Sequence, residues 1–241
     1  MGNTEGSQTD IRHILIRRNI HISLSHDELS LIIGSILGDA YVYPLGKICF
    51  EQSNKQSDYL NWKYNLLRKL AYPKIATVFR LDRRNGVVSE SKRFFLRQYF
   101  RKFRQLFYPD GVKTIPIQTL KKWFTPLSLA VWYMDDGHLE KHKYPTIATE
   151  SYRLEDLNDI ISLLKNKFKL NCLLDKKKRL RIRSNSINQF FTLIRKYMPE
   201  CMKYKSLDPV TTGSRLRRVK MDRAIYSITR RPLTRKRRVM V

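Results

Sequence analysis

The chain has 241 residues, 42% of them hydrophobic, enough for one large domain or two small ones. It carries 48 Lys and Arg against 21 Asp and Glu, a formal net charge of +27 that points to a polyanionic partner, nucleic acid first. No apolar run approaches the roughly 20 residues of a membrane span, Met1 to Asp10 has no secretory-signal pattern, and Cys49, Cys172 and Cys201 are too widely spaced for a disulfide framework or a zinc site and are expected to be reduced core thiols.

Residues 1–23 form a polar extension with a basic pair at Arg17 and Arg18, and 209–241 a tail rich in Arg and Lys. Both are expected to be flexible when free of a partner, either as solvated tails or as arms on phosphates. Ser25 and Glu28 have the spacing of a capping box ahead of Leu31, Ile32, Ile33, Ile36 and Leu37, and Gly38 and Pro44 follow, so a helix is predicted over about 27–38. A hairpin comes next (Tyr41–Tyr43, a Pro44-Leu45-Gly46 turn, Lys47–Ser53), then a helix near Tyr59–Leu70. Thr77–Arg83 and Val87–Phe95 flank Asn85-Gly86, a strong hairpin signal, and a helix over about Arg97–Phe107 stops before Pro109. In that last helix Tyr99, Phe100, Phe103, Phe107 and Tyr108 have the spacing of core residues rather than of a base-stacking platform.

After a linker, 116–124, the order repeats. Thr125 is a good N-cap with Pro126 at the first helical position, so a helix runs to about Asp135. It is followed by a hairpin through Leu139–Ser151, a helix near Leu154–Phe168, a hairpin through Cys172–Ser184 and a helix near Ile187–Tyr197. His138 and His142 fall in the hairpin, where their spacing makes no metal clamp. The reading is an α+β protein of two αββαββα repeats, 24–115 and 125–208, whose motif helices pack on each other about a pseudo-twofold axis.

Both motif helices are apolar nearly all round, so each must be buried on most faces, and Gly34 with Gly38 permits close backbone approach. Asp39 and Asp136, 97 residues apart, would then lie side by side at one end. One such aspartate alone reads as an ordinary cap. Two held close repel each other, and one protonates unless a divalent cation neutralises them. Oxygen ligands without a His or Cys cluster favour magnesium or a similar ion.

Ile32–Ala40 and Leu129–Gly137 resemble the two copies of the signature that names the LAGLIDADG homing endonucleases, and the likeness extends over about 24–208 in its order of elements. The chain departs from the signature at Ala40, where it has Gly, and at Val131, where it has a small residue. The resemblance implies that Asp39 and Asp136 bind Mg2+, with Mn2+ able to substitute. It further implies a basic residue near each site, Lys113 and Lys205, with Lys203 competing for the second place, and water-organising polar residues on the second strand after each motif, Gln52 and Glu150. It implies a saddle of antiparallel sheets over a long double-stranded DNA target, and a monomer reading an asymmetric site.

In Arg179-Leu180-Arg181-Ile182-Arg183 the period of two places three arginines on one face and two apolar residues on the other. Such arginines can contact guanine edges or phosphates. Arg80, Arg83, Arg84, Lys92 and Arg93 flank the matching hairpin of the first half and are expected on the same surface. The function expected is site-specific double-strand DNA cleavage. An RNA-binding intron maturase, alone or combined with cleavage, is the alternative, and a DNA-binding regulator without catalysis is a third. No protein-splicing segment is evident, so a free-standing or intron-encoded protein is expected. The resemblance suggests the matrix of a mitochondrion or plastid, or a bacterial cytoplasm.

Overall fold

The computed structural model describes residues 11–17, 20–141 and 143–207, so the 209–241 tail and His142 lie outside the described residues. The compact unit closes at Ser206. In chain order its elements are β1 (His13–Arg17), β2 (Ile20–Ser23), α1 (His26–Leu37), β3 (Tyr41–Val42), β4 (Ile48–Ser53), α2 (Ser57–Leu66), β5 (Ala76–Leu81), β6 (Val88–Leu96) and α3 (Arg101–Phe107). There follow α4 (Ile117–Trp123), α5 (Pro126–Asp136), β7 (Gly137–Glu140), β8 (Tyr144–Ile147), α6 (Leu154–Phe168), β9 (Cys172–Leu174), β10 (Leu180–Ile182) and α7 (Ile187–Ile194). The two four-stranded antiparallel sheets share one topology, β3-β4-β6-β5 and β7-β8-β10-β9, which is the internal repeat made visible.

Apart from shifted helix ends, with α2 stopping at Leu66 rather than near Leu70 and α3 starting at Arg101 rather than about Arg97, two stretches differ from expectation. Within the extension expected to be flexible, β1 and β2 pair as an antiparallel hairpin, and Arg12 places its guanidinium 4.6 Å from the centre of the Trp123 ring on α4. The linker is itself helical: α4 buries Leu120, and Phe124 after it closes over Trp132 and Phe168. A seven-residue helix entered from Pro116 leaves too short a periodic signal to read from sequence. The thiols also differ, since Cys49 is buried but Cys201 is exposed.

Both motif helices begin as their caps require. Glu28 N–H donates to Ser25 Oγ (3.2 Å) while Ser25 N–H donates to Glu28 Oε2 (2.8 Å), and Thr125 with Ser128 repeats the arrangement on α5. Thr125 Oγ1 also donates to Ser30 Oγ (2.9 Å), tying the starts of the two helices together. Leu31, Ile32, Ile33, Ile36 and Leu37 of α1 and Leu129 to Met134 of α5 are all buried, with the two helices packed on each other and α5 also against β7, β8 and α7.

Contact between the helices is made by equivalent positions of the repeats. Gly34 faces Val131, its counterpart 97 residues on, and a Cβ on Gly34 would fall 2.5 Å from the Ser128 carbonyl oxygen and 2.8 Å from Val131 Cβ. The valine that departs from the signature is therefore seated over a glycine. Gly34→Ala gains helix propensity of about 1 kcal/mol, but overpacking typically costs about 1–3 kcal/mol. Because the collision is with backbone, we expect a net loss of stability in denaturant unfolding. A gain would show that the helices are not limited by this approach.

Candidate active site and DNA-facing surface

The chain leaves both motif helices on the same side of the molecule, and the two aspartates stand where it does. Asp39 follows α1 across an irregular turn at Gly38, and Asp136 is the last residue of α5, which runs straight into β7. Each helix end is closed by a lysine of its own repeat. Lys113 Nζ donates to the carbonyl oxygens of Leu37 (3.0 Å) and Gly38 (2.6 Å), and Lys205 Nζ to those of Met134 (2.6 Å) and Asp135 (3.3 Å). A cation on the terminal carbonyls satisfies acceptors the helix leaves open and complements its dipole. Lys203 is instead exposed and paired with Glu200, so of the two lysines it is Lys205 that lies at the end of α5. Burial pushes the pKa of both Lys113 and Lys205 down, and the surrounding aspartates pull it back up.

Gln52 is buried on β4 and its amide donates to Asp39 Oδ2 at 2.8 Å. Glu150 was expected in the matching place, but it lies exposed in the turn beyond the end of β8. The residue 97 positions after Gln52 is Thr149, which is buried and bonded to Lys178 O and Leu180 N–H rather than to Asp136. A register one residue off on a strand turns a side chain to the other face.

The site holds two residues that the sequence reading did not single out. The side chain of Asp135, beside Asp136, is wholly buried, and the similarly buried Lys63 of α2 donates to both its oxygens at 2.6 and 2.9 Å. The Lys63 ammonium also sits 4.5 Å from the centre of the Tyr59 ring. Burial pushes the Asp135 carboxyl pKa up and Lys63 pulls it down. The signal was in the chain: Lys63 interrupts the buried positions Tyr59 and Leu60 of α2 and Leu67 just after it, and an acid stands at Asp135 where the first copy has Gly38.

Burial, and then the charges of Asp39 and Asp135, raise the Asp136 pKa to about 7 against the pull of Lys113. No described side chain donates to Asp136 in good hydrogen-bond geometry. The buried indole N–H of Trp132, itself without a partner, is a weak pull on it. The carboxylates brought together here are hard oxygen donors of the kind that suit a hard divalent cation. Among the described residues no cluster of three or more His, Cys, Asp or Glu side chains could hold an ion alone. The remaining ligands would therefore be phosphate and water oxygens, which magnesium commonly retains.

The sheet faces carry the arginines in two different ways. Arg181 points to the face opposite the buried Leu180 and Ile182, with Arg179 and Arg183 flanking the strand. Arg181 pairs with Glu140 two strands away, and Arg179 lies 2.6 Å from Asp175. In the first half Arg80 pairs with Glu51, also two strands away, and donates to Ser91 Oγ between them (2.9 Å). Arg93 lies opposite Glu51 on this face, and Arg83 and Arg84 stand in the turn between β5 and β6. Lys92 does not join them. It lies opposite Gln52 and beside Phe94, so strand parity turns it to the helix side.

Residues 29–190 match the LAGLIDADG DNA endonuclease family. The chain is 29% identical over 217 residues to the DNA endonuclease I-ChuI of Chlamydomonas applanata, covering 78% of this chain and 97% of that protein. It is 27% identical over 204 residues to the cytochrome b mRNA maturase bI2 of Debaryomyces hansenii, covering 78% and 76%. Its fold matches the homing endonuclease I-WcaI bound to its DNA recognition sequence with a TM-score of 0.68 at 27% identity, over 76% of this chain and 87% of that one. The twin sheets and paired motif helices are those of a homing endonuclease, and the chain belongs to the LAGLIDADG DNA endonuclease family.

The raised Asp136 pKa has a direct consequence for the metal-free protein. Below about pH 4 folded and unfolded states both hold the proton. Between there and about 7 only the folded state keeps it, so this contribution to stability falls as pH rises. Metal-free Asp136→Asn should therefore melt above the parent protein at pH 8, with the gap closing toward pH 4 in calorimetric scans. A gap independent of pH would contradict the assigned environment.

Proposed function

We propose that this protein is a magnesium-dependent, site-specific homing endonuclease that cuts both strands of a long asymmetric DNA target as a monomer, with repeats 24–115 and 125–208 each reading one half-site. The observation that carries the reading is the pair of carboxylates Asp39 and Asp136 at equivalent ends of α1 and α5, each end closed by a half-buried lysine. Asp39 and Asp136 would hold the ions, with manganese able to replace magnesium, and a bound ion would supply water activation and charge neutralisation at a scissile phosphate. Lys113 and Lys205 place positive charge where the oxyanion develops. Gln52 orients Asp39 and hydrogen-bonds water beside it, while Glu150, exposed at the strand end, would reach only solvent-side water or DNA.

Arg80, Arg93, Arg179, Arg181 and Arg183, with Arg83 and Arg84 at the hairpin tip, would line the saddle against the duplex. Their carboxylate partners hold the guanidinium groups in place until phosphates or guanine edges replace them. Lys92, on the opposite face, would serve long-range attraction only. Among the described residues no helix is long and apolar enough to cross a membrane, and we infer action on DNA in an organelle matrix or a bacterial cytoplasm. A second reading, binding of intron RNA, is favoured by the similarity to a relative named as an mRNA maturase and by the net charge of +27. It predicts splicing activity that survives loss of both aspartates.

The test is selection of a cleaved target from a randomised DNA library with magnesium, followed by assay of Asp39→Asn and Asp136→Asn on that target. Each substitution should abolish double-strand cleavage while target affinity stays within about threefold, since phosphate and base contacts lie on the sheets. Chelation should stop the parent enzyme and magnesium or manganese restore it. Full-rate cleavage of both strands by both variants would overturn the reading.

A further inference from the structure

The two halves of the site are not equivalent, and the inequivalence centres on the buried Lys63–Asp135 pair. Asp135 reaches out of its own helix end into the other one. Its Oδ2 accepts the Asp39 backbone N–H at 3.4 Å, and its Oδ1 lies 3.5 Å from the Gln52 amide nitrogen that donates to Asp39 Oδ2 at 2.8 Å. Its side chain also fills the space over Gly38, where a Cβ would fall 2.5 Å from Asp135 Cβ and 2.7 Å from Oδ2. One carboxylate thus fixes the backbone on which Asp39 stands and the amide that aims it. Lys63 holds that carboxylate at 2.6 and 2.9 Å and neutralises it, so that it does not simply add repulsion beside Asp39.

Among the described residues nothing equivalent serves Asp136. At the repeat displacement of 97 residues the counterpart of Lys63 is the buried Ile160, that of Asp135 is Gly38 and that of Gln52 is Thr149, whose hydroxyl is spent on Lys178 O and Leu180 N–H. Asp39 therefore stands on a braced turn, whereas Asp136 is the end of an uninterrupted helix running into β7.

We propose that Lys63 and Asp135 are a positioning pair for Asp39 alone, so that removing the pair slows cleavage of one DNA strand and leaves the other largely untouched. The pair touches no reacting atom; it acts through the Gly38–Asp39 backbone and the Gln52 amide. This rests on the reading of Asp39 and Asp136 as the metal-holding carboxylates of the two strand cuts.

The experiment uses the full chain and its selected target with each strand labelled at one end, so that the two nicking rates are read separately. Asp135→Asn keeps the side-chain shape but leaves an unpaired buried ammonium. Lys63→Met/Asp135→Asn, which removes both charges together, is the variant that avoids this and keeps the test sound if the first folds poorly. In either variant one strand should slow by about 10- to 100-fold, as for other partners that orient a metal ligand, while the other changes by less than about threefold and nicked DNA accumulates. Parallel slowing of both strands, or no slowing in a folded double variant, overturns the positioning pair. Asp39→Asn, run alongside, separates the two failures: if it cuts both strands at the parent rate, the carboxylate reading falls and the pair with it. If it stalls cleavage while the pair variants leave the strand ratio unchanged, only the pair falls.

Discussion

The backbones of α1 and α5 cross so closely that neither Gly34 nor Gly38 has room for a methyl group, and the rest of the molecule is arranged around that crossing. Helices that approach on glycine must be apolar, capped and covered, which accounts for the two capping boxes at one end and the burial of both apolar runs. The same approach sets both terminal aspartates at one end of the crossing, where burial and mutual charge work against ionisation of Asp136. Such an arrangement works against stability, and carboxylates perturbed in this way cluster at functional sites.

The crossing is symmetric in topology but not in chemistry. At both contact positions the first repeat supplies glycine and the second its larger counterpart, Val131 over Gly34 and Asp135 over Gly38. The valine costs nothing beyond shape. The aspartate introduces a third carboxylate into a site already crowded with two, and a buried lysine from α2 is what makes it tolerable. A fused pair of repeats can diverge in this way because no second copy of the substitution appears across the axis. Two aspartates at that contact would meet each other.

Much of this was legible in the chain because it is local or periodic. Ser25 with Glu28 and Thr125 with Pro126 mark the helix starts, α6 has the bounds its pattern predicts, and the alternation of Arg179 to Arg183 gives the orientation of β10. What was not legible is set by register or by distance along the chain. Glu150 missed the site because β8 ends before it, leaving Thr149 in the inward place. Lys92 could have been excluded, since its neighbour Arg93 was already assigned to the outer face. Lys63 and Asp135 lie 72 residues apart, and only the packing of α2 beneath the motif helices brings them together. The short α4 and the hairpin of β1 and β2 carry too few periodic residues to announce themselves.

The central claim is that the two motif aspartates share the work of holding metal against DNA, and its most direct test is a crystal structure of the protein on its selected target with manganese, located by anomalous scattering. The account predicts anomalous density bonded to both the Asp39 and the Asp136 carboxylates and to phosphate oxygens of opposite strands. Manganese bound elsewhere, with both carboxylates turned away from the phosphates, would contradict it.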